Sequence, residues 1–367
     1  MKVLYIINSV EGGGAALPVP AIVAALEKAG AQVTVLALTR RNGKALPAFE
    51  AAGVRVAVRE GGEKDHLAAL RWLSGQVRAH RPDLLWTSLT RATLLGQWVG
   101  QRADVPVVSW QHNAFLKTSN RLLLRARREA ALLWVADSAS VARLTEQRLA
   151  IPPDRIVTWP IFAADPSARQ AAPWQPDQRL ELGSLGRLHP NKAYDLLIAA
   201  LASLNAGGFQ AAAPYRITIA GEGADEARLR AQAAAAGVDN LHFAGFIGDS
   251  RGFLAGLHAY LQPSRREGFC IAAHEAMQAG LPVLGTRTGE MPFTIADGAS
   301  GWLSPSGDTA ALADALARLL SAPERLAAMG QAARATVLTR FSRERFEALA
   351  ATILGRVAEL RSDRGYR

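Results

Sequence analysis

Tyr260-Leu261-Gln262 is followed by Glu267-Gly268-Phe269-Cys270-Ile271-Ala272-Ala273-His274-Glu275 and then by Ala276-Met277-Gln278-Ala279-Gly280-Leu281-Pro282-Val283. An apolar run, a glycine-bearing turn, a helical stretch and a second apolar run make one strand–helix–strand unit. Gly268 is expected to make the turn, and a helix from about residue 270 presents backbone N–H groups at its start. Ala272, Ala273 and Ala276 keep that helix close to a sheet. Glu267 and Glu275 are eight residues apart, about 80° out of phase at ~100° per residue. The two carboxylates are therefore expected not to meet as an acid/base pair, but to hold different parts of one ligand. Solvated surface acids are the plain alternative.

Similar units extend in both directions. Short apolar runs at 180–185, 217–220, 241–243, 260–262, 283–285 and 302–304 alternate with helical stretches. An earlier series lies at 3–7, 33–38, 54–58, 84–87, 105–110, 132–136 and 156–159. Between them run helical segments such as 20–29 and 67–78, the latter marked on one side by Leu67, Leu70, Trp72, Leu73 and Val77. Most of these runs are apolar throughout, as in parallel strands covered on both faces. Pro160, Pro166, Pro173 and Pro176 interrupt the alternation. The expected fold class is α/β, with two Rossmann-like doubly wound domains facing across a cleft. The expected boundaries are 1–165, a linker at 166–178, 179–341, and a C-terminal helix at 342–367. Phe346, Leu349, Ile353 and Val357 mark one face of that helix.

The length, 367 residues with 49% apolar, suffices for two cores. Cys270 is the single cysteine, which excludes a disulfide framework and favours a reducing compartment. No apolar stretch approaches the ~20 residues of a spanning helix, and residues 1–8 read as a first strand rather than a leader. The net charge of +10 is uneven. Residues 1–170 carry 22 Lys/Arg against 13 Asp/Glu, whereas the rest carry 20 against 19. A basic first half suits an anionic partner, either a phosphate-bearing ligand or an acidic membrane surface. An Arg-rich composition with no target is the alternative.

Ligands of doubly wound sheets bind beyond the carboxyl ends of the strands, so polar residues there are the candidates. Gly12-Gly13-Gly14 follows the first strand and could cradle a phosphate at a helix start, or simply make a tight turn. It is not the G-x-G-x-x-G dinucleotide pattern. Gly186-Arg187-Leu188-His189-Pro190-Asn191-Lys192 places Arg187 and Lys192 where two cations could receive a departing diphosphate. His112 and Ser138 each end a strand. The first could hydrogen-bond a sugar or phosphate oxygen, and the second could cap a helix. Asp-x-Asp, a Cys/His ligand cluster, G-x-S-x-G and G-x-x-x-x-G-K-[ST] are absent.

Taken in order, these segments resemble the retaining glycosyltransferases of family 4, which have the GT-B fold. The resemblance runs over nearly the whole chain. It takes in the glycine-rich first loop, His112, Asp137-Ser138, Gly186-Arg187 with Lys192, Gly221-Glu222-Gly223, and the E-x7-E segment Glu267 to Glu275 leading into Ala279-Gly280-Leu281-Pro282-Val283. It implies a catalytic set of His112, Arg187, Lys192 and Glu267. It also implies donor contacts at Gly13, Gly14, Ser138, Gly186, Gly221, Phe246, Gly268, Phe269 and Glu275. Glu267 would hold the donor sugar, Glu275 the ribose, and Arg187 with Lys192 the diphosphate. No metal or other cofactor is expected. The implied partners are a nucleotide diphosphate sugar and a saccharide or polyprenyl-linked acceptor, at the inner face of a membrane and without nucleic acid. Two positions depart from the family pattern: Ala15-Ala16-Leu17 after the glycines, and Thr288-Gly289-Glu290-Met291-Pro292-Phe293 in place of a Gly-Gly-x-x-Glu stretch. A nucleotide-sugar epimerase on the same architecture and a non-catalytic binding protein are the competing readings. Lys117, Arg121, Arg125, Arg127 and Arg128 beside Leu122-Leu123-Leu124 suggest a basic amphipathic helix that could touch an anionic membrane, or else a solvated basic helix.

Overall fold

The computed structural model describes residues 1–113 and 115–363. The chain divides into two compact units, 1–163 with 343–367 and 164–342. Among the described residues thirteen strands form two all-parallel sheets, and each expected strand is present with ends shifted by at most two residues. The apolar runs of the central strands are buried on both faces, as in parallel sheets, while the edge strands Val56–Val58, Ile156–Thr158 and Leu241–Gly245 are partly exposed.

In the first unit the strands are β1 (Lys2–Ile7), β2 (Gln32–Ala37), β3 (Val56–Val58), β4 (Leu84–Ser88), β5 (Val107–Gln111), β6 (Leu133–Ala136) and β7 (Ile156–Thr158). They lie in the order β3-β2-β1-β4-β5-β6-β7, so the winding reverses between β1 and β4. Helices α1 (Val19–Lys28), α2 (Leu46–Ala51), α3 (His66–His80), α4 (Thr90–Ala103), α5 (Thr118–Ala126) and α6 (Ala139–Leu149) connect them. Sequence spacing is accurate for most of α3 but not for Leu67, which is 71% exposed. It lies about 120° from Leu73, outside the face made by Ala69, Leu73 and Val77.

The second unit orders β8 (Leu180–Leu185), β9 (Tyr215–Ala220), β10 (Leu241–Gly245), β11 (Ala259–Gln262), β12 (Val283–Thr286) and β13 (Gly301–Ser304) as β10-β9-β8-β11-β12-β13. The connecting helices are α7 (Tyr194–Ala206), α8 (Glu226–Ala235), α9 (Ser250–Ala255), α10 (Ile271–Gln278), α11 (Met291–Thr294), α12 (Thr309–Ser321) and α13 (Leu326–Arg340). Much of the segment expected to be a linker is tied into this unit. The Ala171 N–H donates to Ala279 O, and Arg334 donates to Pro166 O at 2.5 Å.

Helix α14 (Arg343–Asp363) belongs to the first unit. The end of the expected element, 364–367, lies outside the described residues. Its buried face is Phe346, Ala350, Ile353, Leu354 and Val357, with Leu349 at the rim rather than on the face. Phe346 packs on Trp159, with ring centroids 5.0 Å apart. Trp159 in turn stacks on Trp110 at 4.8 Å, and Trp86 and Tyr5 extend the cluster. Such pairs add about 0.5–1.5 kcal/mol each beyond the area they bury.

Two glycines separate close packing from conformational freedom. A Cβ on Gly330 in α13 would lie 1.9 Å from the Gly280 carbonyl oxygen, whereas one on Gly355 in α14 would meet nothing within 4 Å. Gly355→Ala is expected to stabilise the protein by about 0.5–1 kcal/mol, and Gly330→Ala to destabilise it by about 1–3 kcal/mol. Urea unfolding of both variants checks the opposite signs.

Candidate functional site

In the second unit the candidate residues gather where the winding reverses, at the carboxyl ends of β8 and β11. The chain leaves β8 through Gly186, where a Cβ would lie 2.9 Å from the Tyr194 hydroxyl and 3.1 Å from Lys192 Cε. Gly221 follows β9 with φ 146°, and a Cβ there would sit 2.0 Å from the Gly186 carbonyl oxygen. Gly221 requires glycine because the two strand-end loops touch there through their backbones, whereas at Gly186 the space is taken by the side chains of Tyr194 and Lys192. A one-turn helix, Pro190–Lys192, then aims Lys192 across the reversal at Glu267.

Lys192 Nζ lies 2.8 Å from Glu267 Oε1. The same oxygen accepts from Ser264 Oγ at 2.6 Å and from Gln262 Nε2 at 3.1 Å. Gln262 Oε1 in turn accepts from the Tyr260 hydroxyl at 3.0 Å. Glu267 is thus held by three donors on one oxygen, while Oε2 has no hydrogen-bond partner among the described residues. Burial works against the charge of Lys192, but the neighbouring carboxylate outweighs it and holds the ammonium above its ordinary value. Arg187 is exposed and forms no ion pair among the described residues.

The turn after Glu267 differs from expectation. The left-handed residue is Cys270, at φ 73°, rather than Gly268. Gly268 is instead where another loop closes in: a Cβ on Gly289, itself at φ 60°, would lie 2.5 Å from Gly268 O and 2.9 Å from Glu267 Cβ. Phe269 is buried against His274 and Phe341, with centroids 4.2 and 5.2 Å away. Burial lowers His274 to about 4, so it is neutral, and its ring bridges Cys270 O and Thr294 Oγ1. Glu275 lies on α10 with no hydrogen-bond partner among the described residues, and burial raises its carboxyl to about 7 against a small opposing pull from Arg251. Phe246 follows β10 and is 56% exposed. Glu290 pairs with Arg340 at 2.6 Å.

The first unit forms its own polar centre at strand ends. His112 follows β5, with Nδ1 2.9 and 3.0 Å from the two Asp137 oxygens and Nε2 2.5 Å from Ser88 Oγ. Asp137 Oδ1 also accepts from Trp110 Nε1 at 2.6 Å. Ser138 caps α6 by accepting from the Val141 N–H at 3.1 Å. Gly13 and Gly14 are exposed, and Gly13 O accepts from Ala16 and Leu17. The glycine-rich loop is pinned from outside: Gly12 N–H donates to Asn42 Oδ1, and Arg41 pairs with Glu11.

The sequence gives Ser88, Gln262 and Ser264 no site role, and Asp137 appears in it only as part of the family segment Asp137-Ser138. A strand-end position marks Ser88, Asp137 and Gln262, but the type of side chain gave no signal. A groove of about 390 Å³ lined by Arg179, Tyr215, Arg216, Asp239, Asn240, Leu241 and His242 lies at the opposite, amino ends of β8–β10, away from these groups. Among the described residues no three or more His, Cys, Asp or Glu side chains gather as a metal site, and no helix is long and apolar enough to cross a membrane.

Two parallel α/β sheets with glycine-closed loops at their carboxyl ends define a protein of the GT-B class. Two family profiles match: "Glycosyltransferase Family 4" over residues 12–162 and "Glycosyl transferases group 1" over 168–336. The D-inositol 3-phosphate glycosyltransferase of Acidothermus cellulolyticus is 30% identical over 305 residues, 75% of this chain and 64% of that protein's length. A GDP-mannose-dependent alpha-(1-6)-phosphatidylinositol dimannoside mannosyltransferase of Mycobacterium tuberculosis is 32% identical over 270 residues, 67% of each chain. The chain belongs to glycosyltransferase family 4. Among solved structures, Anabaena HepE in complex with UDP-glucose superposes with TM-score 0.83 at 20% identity, covering 97% of this chain and 99% of that one. Sucrose-phosphate synthase of Thermosynechococcus elongatus gives 0.78 at 17%, covering 98% and 100%. At such identities the likeness concerns the fold.

The position of Glu275 carries a pH consequence. An unfolded chain releases this proton near 4.5, whereas the folded chain holds it to about 7. Below 4.5 both forms are protonated. As pH rises from 4.5 to 7 the unfolded form gains charge first, so the group makes folding progressively less favourable, with no further change above 7. Glu275→Gln is expected to flatten that part of the stability profile. Urea unfolding at pH 5, 6, 7 and 8 checks it, and an unchanged slope refutes it.

Proposed function

We propose that the protein is a retaining glycosyltransferase. It moves a hexose from a nucleotide diphosphate donor to a saccharide or lipid-linked saccharide acceptor in the synthesis of cell-envelope polysaccharide or lipopolysaccharide. The observation that carries this reading is the Lys192–Glu267 pair with its spare capacity: an exposed Arg187 nearby in sequence, and a Glu267 Oε2 and a Glu275 carboxyl with no hydrogen-bond partner among the described residues. Glu267 Oε2 would accept from sugar hydroxyls and Glu275 from the ribose. Arg187 and Lys192 would take up charge on the leaving diphosphate, the place where negative charge grows in the transition state. With two cations for that task, no metal ion is needed in the proposed mechanism. Gly186 and Gly221 would let the ligand approach the backbone, and Gly13, Gly14, Gly268 and Phe269 would complete the donor contacts. The family relatives include inositol-phosphate and phosphatidylinositol mannoside enzymes, which favours an acceptor of polar or lipid-linked character.

Arg187→Ala and Glu267→Ala are expected to lower transfer by about 100-fold or more. Arg187→Ala should leave the melting temperature unchanged, because its exposed side chain has no hydrogen-bond or ion-pair partner among the described residues. Full transfer by both variants refutes the assignment. Calorimetry with UDP-, GDP- and ADP-sugars identifies the base, and donor alone giving an isomerised product would favour the epimerase.

A cytoplasmic protein at the inner face of the membrane is the setting we propose. Helix α5 supports it: Leu122 and Leu123 are 58% and 51% exposed, with exposed Lys117, Arg121 and Arg125 beside them, while Leu124 alone is buried. Each basic residue near an anionic surface contributes about 1 kcal/mol. Co-sedimentation with phosphatidylglycerol vesicles is expected at low salt, weakening at moderate salt and lost in Leu122→Asp/Leu123→Asp. No sedimentation at either salt refutes it.

A further inference from the structure

Building on the assignment of Lys192 to the donor diphosphate, we propose that Arg265 is a positioning residue. Clamped on Asp195, it fixes the one-turn helix that carries Lys192, so that the ammonium keeps its place when a diphosphate competes with Glu267 for it. Lys192 Nζ lies 2.8 Å from Glu267 Oε1, and this pair joins the loop after β8 to the loop after β11. A diphosphate that draws the ammonium toward itself weakens that join. The loop would then lose its tether at the moment Lys192 has to stand still, because charge stabilisation in a transition state depends on groups held in place beforehand. A second tether between the same loops, one that the ligand does not compete for, removes the difficulty.

Arg265 provides it. It lies two residues before Glu267, and Asp195 lies three after Lys192. The guanidinium donates to Asp195 with both arms, Nη1 to Oδ1 at 2.8 Å and Nη2 to Oδ2 at 2.6 Å. Nη1 also donates to Pro190 O at 2.8 Å, and the Arg265 N–H donates to Asn191 O at 2.8 Å. Four hydrogen bonds from one residue thus end on both sides of Lys192. Pro190 O accepts in addition from the Ala193 N–H at 3.2 Å, so the clamp grips the turn that aims Lys192. Ser306 Oγ donates to Arg265 O at 3.0 Å and ties the arginine to the loop after β13. A bidentate guanidinium–carboxylate pair fixes direction as well as distance, which an ammonium on a flexible stem does not. Hydrogen bonding from Arg265 also holds the Asp195 carboxyl below its ordinary range, so the pair stays charged at neutral pH. The two tethers have opposite polarity. One loop offers Lys192 and Asp195, the other Glu267 and Arg265. Exchanging partners would set Lys192 against Arg265 and Asp195 against Glu267, and like charges exclude that pairing.

Calorimetry on a double-mutant cycle tests the clamp, using whichever of UDP, GDP and ADP the wild type binds. Lys192→Ala should weaken that nucleotide by about 10–100-fold. Arg265→Ala should weaken it by about 10-fold in the wild type but by less than about twofold when residue 192 is already Ala, because the clamp acts through the ammonium. Arg265→Lys keeps the charge and loses the fork. It should also lose about 10-fold in affinity, with a melting temperature within about 3 °C of wild type. The same cycle run with Arg265→Lys and with Asp195→Asn gives the answer if Arg265→Ala does not fold. Equal losses with and without Lys192 would mean that Arg265 acts on the fold at large, and overturn the proposal. Wild-type affinity in a folded Arg265→Ala or Arg265→Lys overturns it too. Wild-type affinity in Lys192→Ala, or no binding of any of the three nucleotides by the wild type, overturns the underlying assignment of Lys192 to the diphosphate and the clamp with it, which the Arg265 variants by themselves would not do.

Discussion

Lys192 and Glu267 form an ion pair at 2.8 Å with side chains only 22% and 12% exposed. Two charges in so dry a place lose hydration, and attraction alone seldom repays it. Ser264 and Gln262 supply the difference by donating to the same carboxylate oxygen. Around the pair the backbone is bent to suit. Ala193, immediately after Lys192, has φ 56°, and Cys270, three residues after Glu267, has φ 73°. Ala193 both closes the one-turn helix Pro190–Lys192 and starts α7, and Cys270 starts α10, whereas Arg81, Asp104 and Ala150 only close α3, α4 and α6. At helix C-termini such a conformation is ordinary; ahead of a helix in a non-glycine residue, as at Cys270, it is strain, which clusters at functional sites. Losing one partner would leave an uncompensated charge at a cost of about 3–5 kcal/mol.

The fold was legible because strands of a parallel sheet are apolar on both faces. Each of the runs from 3–7 to 302–304 therefore stood out from the Ala- and Arg-rich helices between them, and their alternation left doubly wound sheets as the natural arrangement. Helix faces were less secure. Leu67 and Leu349 satisfy an approximate spacing but fall away from the packed stripe, and apolar type alone does not separate a rim position from the core. The segment 166–178 read as a linker from its prolines, yet a proline-rich chain can lie along a domain surface and hydrogen-bond to it, as Pro166 and Ala171 do.

At the site, glycines and charged residues were the visible part. Gly186 and Gly221 were singled out by position, and their close contacts explain why no side chain is accommodated. The supporting polar residues were hidden. Gln262 and Ser264 are ordinary in composition and gain meaning only when the loop brings them to one oxygen of Glu267. Ser88 and Asp137 come from different strands than His112, 24 and 25 residues away, and only the sheet order β4-β5-β6 brings the three together. Gly268 was assigned a turn that Cys270 makes, because a sequence rule places left-handed backbone at glycine and cannot foresee a residue held there by tertiary packing.

The basic surplus of the first half does not reside at its strand ends. At the carboxyl ends of β1 to β4 the guanidinium groups are balanced: Arg40 by Glu60, Arg41 by Glu11 and Glu63, and Arg59 and Arg91 by Asp65. Those two arginines hold the Asp65 carboxyl down at about 2, Arg59 more strongly than Arg91. These loops are therefore cross-linked by charge rather than left positive, and Arg41 and Asn42 fix the glycine-rich loop through Glu11 and Gly12. Among the described residues, cations with no ion pair include Lys117, Arg121 and Arg125 on and before α5 and Arg71 and Arg78 on α3. A composition-based argument for a phosphate-binding first unit thus loses its basis at these strand ends. The excess charge of the first unit lies away from these loops, and Arg187 and Lys192, proposed above to receive a diphosphate, belong to the unit whose net charge is close to zero.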